Sequence, residues 1–305
     1  MIRLFSFVIL SILFPISLGY GWEYDFEKVW GKEKNLPIVP VAPSREKFVP
    51  IQSVPDPVPQ AVERPQVRNV APVLSTESYV ESITGMKFIR VTGSCYSMGS
   101  PTSEKGRGND ERQHEACVDD FWIAIHEVTQ SQWKKIMGSN PSINRKGNSY
   151  PVENISWEDA VAFAKKINNK AGMGFRLPTE AEWEFAARAG TTTLYSGSSS
   201  PDKVAWYYNN SSLASHPVGV KKPNKFGIYD MSGNVWEWCL DWYGKNYSRG
   251  SDNPQGPVKG IKKVSRGGSW SGNPEDIRVA RREKDTPGAH YSDVGFRLVM
   301  SVSNQ

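Results

Sequence analysis

Arg176-Leu177-Pro178-Thr179-Glu180-Ala181-Glu182-Trp183-Glu184 sets a proline and a threonine at a helix entrance and then three carboxylates within its first turns. Thr179 with Glu182 forms a capping box, in which hydroxyl and carboxylate each satisfy an orphan N–H. Acids in that position also complement the positive end of the helix dipole. The plain reading is therefore capping and buried pairing with arginine. The helix is expected to continue through Trp183, Ala186 and Ala187 and to stop at Gly190.

Moving outward, Thr129 with Gln132 opens a short helix that carries Trp133, Ile136 and Met137 and ends at Gly138. Ser156 caps another, with Ala160, Phe163, Ala164 and Ile167 on one apolar face. Phe88, Ile89 and Val91, then Tyr96 to Met98, read as strands meeting at Gly93, and Phe121 to Ile125 as a further one. Beyond Gly190 no long periodic stretch occurs. About a hundred residues must then be loops and short strands, ordered by buried polar contacts or bound ions.

The full chain has 305 residues and a formal charge of +5. Its basic residues are scattered except for Lys221, Lys222 and Lys225, then Lys259, Lys262 and Lys263, which read as solvated loop charges. Without a basic helix or aromatic-interleaved stripe, nucleic acid is not an expected partner. Arg3 precedes an apolar run from Leu4 to Leu18, and Ser17 and Gly19 supply small residues for signal peptidase, so residues 1–19 read as a cleaved export signal. The alternative is an uncleaved anchor, although the run is short for a full span. The expected location is secreted or periplasmic, with no stable membrane span after cleavage. Residues 20–78 carry prolines from Pro37 to Pro72 at a density that blocks helices and ladders, and read as a linker. Within them Trp22, Phe26, Val29 and Trp30 fall at helical spacing, consistent with a brief docking helix or with disorder. The globular part is expected over 79–305, as one large domain.

Three further segments stand out: Gly233-Asn234-Val235-Trp236-Glu237-Trp238, Arg266-Gly267-Gly268-Ser269-Trp270 and Gly295-Phe296-Arg297-Leu298. With the first segment, and with Glu127-Val128-Thr129 and Pro151-Val152 ahead of Ser156-Trp157, they resemble the formylglycine-generating-enzyme, or sulfatase-modifying factor, family in its bacterial form. The resemblance runs from about Phe88 to Met300. It implies an α+β fold, loop-rich, with few short helices and strands and a core related to C-type lectins. It also implies that Trp236 and Ser269 line a substrate pocket; read without it, they are core packing and a turn hydroxyl.

The family's oxidases hold copper with two cysteines shortly after the Arg-Gly-Gly-Ser stretch, and the resemblance puts Gly272 and Ile277 in those places. Cu(I) needs thiolate or thioether ligands, and Trp270 to Arg282 contains no Cys, Met or His. Copper is therefore not expected. The family's second calcium site matches better, with side-chain oxygens from Asp230 and Glu237 and backbone carbonyls from Gly233 and Val235, the hard donors that calcium prefers. Cys95 and Cys117 could pair, and Cys239 reads as a buried thiol. His114, His126, His216 and His290 form no close pair suited to zinc or iron, and no GxSxG, P-loop or dinucleotide fingerprint occurs. The expectation is a non-oxidase binding or accessory module with a vestigial active-site pocket, taking a protein, peptide or glycan ligand outside the cytoplasm. The alternatives are a family enzyme of altered mechanism and an oxidase using an unrecognised thiol such as Cys239.

Overall fold

The computed structural model describes residues 77–247 and 252–302. The export signal over 1–19, the linker as far as residue 76 and the Trp22–Trp30 helix lie outside the described residues. The chain forms β1 (Ser78–Val80), β2 (Lys87–Val91), β3 (Cys95–Met98), β4 (His114–Cys117) and β5 (Phe121–Ala124). Then come α1 (Gln130–Met137), α2 (Trp157–Ala171), β6 (Phe175–Arg176), α3 (Glu180–Arg188) and α4 (Pro201–Val204). The described residues of the late segment supply strands: β7 (Trp236–Trp242), β8 (Lys263–Arg266), β9 (Arg282–Asp285), β10 (Val294–Gly295) and β11 (Val299–Ser301).

One sheet has the order β1-β2-β5-β11-β6, a second β10-β7-β8-β9, and among the described residues β3 pairs only with β4. The strands expected to meet at Gly93 thus follow one another but belong to different sheets. Strand β11 inserts between β5 and β6, with Val299 opposite both Ile123 and Arg176. The chain's late residues therefore complete a sheet begun by its early ones. Side chains alternate across that sheet, as the two-residue period of a strand requires. Phe88, Ala124 and Met300 join Trp133, Phe163, Phe175 and Phe296 in one core against α1 and α2. Val91, Phe121, Ile123 and Val299 join Trp183, Phe185, Cys239 and Val264 in a second, toward α3 and the four-stranded sheet.

Both expected capping boxes form, at Thr129 with Gln132 and at Thr179 with Glu182. Ser156 is also part of a box, because Asp159 returns its carboxylate to the cap N–H. Helix α3 ends at Arg188, short of the expected stop: Ala189 itself takes the left-handed cap at φ 45° and donates to Phe185 O. The three acids of the opening motif are paired with arginine. Glu182 meets Arg176 at 2.7 Å, Glu180 meets Arg282 at 2.7 Å, and Glu184 meets Arg188 at 2.7 Å and Arg266 as well. Arg278 binds Glu111 at 2.8 Å and Glu104 at 2.6 Å. Buried guanidinium groups, each donating to several segments, are thus the polar contacts that order the late half of the chain.

Two of the clustered lysines are not solvated loop charges. Lys263 is a buried strand residue, its ammonium between the rings of Trp157 and Trp242 at 3.9 and 3.8 Å and donating to Leu240 O. Lys221 lies over the Trp206 ring at 3.9 Å and donates to Asp202 O. Sequence clustering missed both because the aromatic partners lie 15 or more residues away. Cys95 and Cys117 face each other across the β3–β4 pair and are joined as a disulfide. No helix among the described residues is long and apolar enough to cross a membrane.

Candidate functional site

The loop from Asp230 into β7 is held in an unusual backbone. Asp230, Gly233 and Asn234 all have positive φ, at 58°, 77° and 64°. Asn234 fixes the turn through both ends of its amide, accepting from His216 N–H at 2.9 Å and donating to Glu127 at 3.1 Å. Gly233 has no alternative here, since a Cβ on it would lie 2.2 Å from Trp206 O.

This loop brings Glu127, Asp230 and Glu237 together around the Arg297 guanidinium, all four buried. Glu237 is fully engaged by nitrogen donors: Arg297 Nε and Nη2 donate to it at 2.7 and 2.6 Å, and Trp183 Nε1 at 2.8 Å. Asp230 Oδ2 accepts from Gly219 N–H at 2.7 Å, while its Oδ1 has no donor. Glu127 Oε1 is also buried without a donor. Burial pushes the Asp230 carboxyl up to about 6, and burial followed by the charges of Asp230 and Glu237 raises Glu127 well above the usual range. Three carboxylates face one guanidinium, and two buried oxygens lack partners. Such an arrangement fits a hard cation. The structure, however, ties Glu237 to Arg297, so the oxygens free for an ion are those of Asp230 and Glu127. The sequence reading quoted Glu127 within a motif without assigning it this place.

Trp236 and Ser269 meet at a residue that the sequence reading did not single out. Trp236 N–H donates to Asp293 O at 2.8 Å, and Ser269 Oγ donates to Asp293 Oδ2 at 2.8 Å. Ser271 Oγ donates to the same carboxylate oxygen at 2.9 Å. The Trp236 indole is half-buried against the first core, and Ser269 is fully buried. Asp293 sits two residues before the Gly295-Phe296-Arg297-Leu298 motif, which was the available signal. Ahead of Ser269, Gly268 has φ 76°, and a Cβ there would lie 2.6 Å from Ile277 Cγ2 and 2.7 Å from Asp276 O. Gly268→Ala is expected to cost more than about 2 kcal/mol, seen as a lower urea midpoint. An unchanged midpoint would mean that this turn relaxes freely.

Gly272 and Ile277 adjoin, since a Cβ on Gly272 would lie 3.6 Å from Ile277 Cγ2. The two places are therefore neighbours, as a copper-binding pair would have to be, but Ile277 is fully buried among Tyr195, Val204, Ala205 and Tyr207. Neither residue carries sulfur, and these donors do not fit Cu(I). Cys239 is buried in the second core, burial pushes its thiol well up, and Sγ lies 3.8 Å from Glu237 O.

The sulfatase-modifying factor enzyme 1-like domain family matches residues 75–302. The chain belongs to this family. It is 34% identical over 197 residues to the formylglycine-generating enzyme of Streptomyces coelicolor, covering 58% of this chain and 60% of that enzyme. It is 33% identical over 237 residues to the chaperone protein LppX of Paenibacillus barcinonensis, covering 60% of this chain and 81% of that protein. The chain spans only 36 to 39% of the chlamydial serine/threonine-protein kinases pkn1 that it also matches. Among solved structures, Treponema denticola variable protein 1 superposes with a TM-score of 0.68 at 30% identity, covering 73% of this chain and 98% of that one. The α+β, loop-rich fold implied by the motifs is thus the sulfatase-modifying-factor fold.

Proposed function

We propose that this sulfatase-modifying-factor domain is an exported, non-oxidase binding module that holds a protein, peptide or glycan at the remnant pocket of Trp236 and Ser269. The observation that carries the reading is the pair of places at Gly272 and Ile277. They adjoin as a metal-binding pair would, yet one has no side chain and the other is packed into an apolar cluster. Oxidation of a cysteine to an aldehyde needs a centre that activates oxygen, and among the described residues the remaining free thiol, Cys239, is buried in a core. The surrounding scaffold of caps, buried arginines and the Asp230–Trp236 turn is retained. A scaffold without the thiols supports recognition more readily than redox chemistry.

The expected result is that the purified domain, given copper and reductant, forms no aldehyde in a Cys-x-Pro-x-Arg peptide above a metal-free control. Aldehyde above that control would overturn the non-oxidase reading. A structural calcium ion is part of the same proposal, held by Asp230 Oδ1 and Glu127 Oε1 with the Gly233 and Val235 carbonyls. Its work would be to neutralise the carboxylate cluster behind the turn that carries Trp236.

A further inference from the structure

Glu153 has no role in the fold's arginine pairing, yet it is fully buried. Its Oε1 accepts from Asn144 N–H at 2.7 Å, while its Oε2 is buried with no donor. The chain around it runs beside the segment that carries Asp293. Asn154 N–H donates to Tyr291 O at 2.8 Å, and Val152 O lies 2.5 Å from where a Cβ on Gly295 would sit. Glu153 is thereby placed opposite residues 292–294. Asp293 in turn has one oxygen, Oδ2, occupied by the hydroxyls of Ser269 and Ser271. Burial pushes the Glu153 carboxyl up to about 7 against the opposing pull of the Asn144 and Ile143 N–H groups, and the nearby Asp293 charge adds to the rise. Arg145 is the cation nearest in effect, but it donates to Ser142 O and Asn140 O and makes no ion pair with either acid.

Two acids, one with a buried oxygen lacking a donor, therefore lie on adjoining segments, and one of them, Asp293, holds Ser269. The absence of His or Cys among them disfavours the softer metals. An ammonium group offers three N–H donors and a single charge, which matches a carboxylate with a second acid behind it. Trp270 supplies an aromatic wall: its Nε1 donates to Ser292 O at 3.3 Å, which sets the half-buried indole next to Asp293.

We propose that the remnant pocket at Ser269 takes a protonated amine of a partner polypeptide, with Asp293 as the anionic contact and Glu153 as the second acid behind it. This rests on the binding-module reading above. The class of ligand follows: a lysine side chain or a free N-terminus, presented by a peptide.

The test uses small probes on the full domain, followed by NMR at the Trp270 indole N–H. Nα-acetyl-lysine methylamide carries the side-chain amine, alanine methylamide carries the N-terminal one, and the Nε-acetylated lysine analogue is neutral. One charged probe is expected to bind at least about tenfold more tightly than the neutral analogue, and which of the two does so identifies the source. Asp293→Asn is expected to lose at least about tenfold, and Glu153→Gln, with folding checked by circular dichroism, a smaller factor. Equal binding of charged and neutral probes, an unchanged Asp293→Asn, or no response to either amine at millimolar concentration would each overturn the amine assignment. Saturation of the site by calcium alone would do the same. If charged and neutral probes bind equally and Trp236→Ala abolishes both, the amine falls while the binding-module reading stands.

Discussion

Arg297→Met will unfold the domain at room temperature or lower its stability by about 3–5 kcal/mol, the range for removing one partner of a buried ion pair. Arg297 is completely buried and donates to four acceptor atoms on three segments: both oxygens of Glu237, Ala124 O at 3.1 Å and Tyr229 O at 2.9 Å. Methionine keeps the unbranched stem of the side chain and loses every donor. The greater cost is electrostatic, because Glu127, Asp230 and Glu237 would then share a buried site without the guanidinium they face. Against a total stability of about 5–15 kcal/mol, such a loss brings a domain of this kind to the edge of folding. Urea denaturation with fluorescence of the buried tryptophans is the measurement. The double replacement Arg297→Met with Glu237→Met should recover part of the loss, since it removes the stranded charge along with its partner. A single variant that costs less than about 1 kcal/mol would show that water reaches the cluster and that Arg297 does not hold it together.

That cluster also shows where the sequence was legible and where it was not. The capping boxes at Thr129 and Thr179 are local chemistry within four residues, so they could be read directly, and the helices formed where those signals stood. The late strands could not be read so. Strand β10 is two residues long and parallel to β7, and β8 lies between β7 and β9. Nothing periodic marks them, because their order comes from arginines that reach across the fold, such as Arg278 to Glu111 over 167 positions. Arg297 stood inside a quoted motif, but a sequence does not say that Glu237, 60 positions earlier, spends its carboxylate on that guanidinium. The same is true of Asp293, whose link to Ser269 spans 24 positions. Motifs marked the candidate segments, whereas the choice of which acid is paired and which is left without a donor depended on geometry.

The unpaired acids lead to the second large effect: the chelated protein will be more stable at pH 5.5 than at pH 7.5, and calcium will raise the melting temperature more at the higher pH. Asp230 and Asp241 are pushed up to about 6, Glu153 to about 7 and Glu127 well above the usual range, burial being the first cause in each case. A carboxyl whose folded value lies above its unfolded one holds its proton more tightly in the folded state. Its stabilising contribution is present below the unfolded value and is lost as the pH rises through the folded one, so the penalty from Asp230, Asp241 and Glu153 grows between about pH 4 and pH 7 and persists above it, with Glu127 acting in the same direction. His126 acts in the opposite direction. Burial lowers it to about 4, so the folded state resists its charging, and stability present above its unfolded value of about 6.5 is lost as the pH falls toward 4. Four acids against one histidine leave a net gain on acidification to pH 5.5. Below that range the pairing of Glu184, whose two arginines outweigh its burial and hold its carboxyl low, begins to be lost as well. A calcium ion on Asp230 and Glu127 would relieve the penalty where those groups are charged, and at a hundred times its dissociation constant it would add about 2.7 kcal/mol. Thermal melts in chelator and in calcium at both pH values give the four numbers needed. Asp230→Asn should remove most of the calcium response while leaving the chelated protein at pH 7.5 no less stable than wild type, since it deletes a repulsive charge together with a ligand. If calcium shifts neither melt and elemental analysis finds none bound, then the oxygens of Asp230 and Glu127 are protonated or hydrated instead, and the turn that carries Trp236 is held by Asn234 and Arg297 alone.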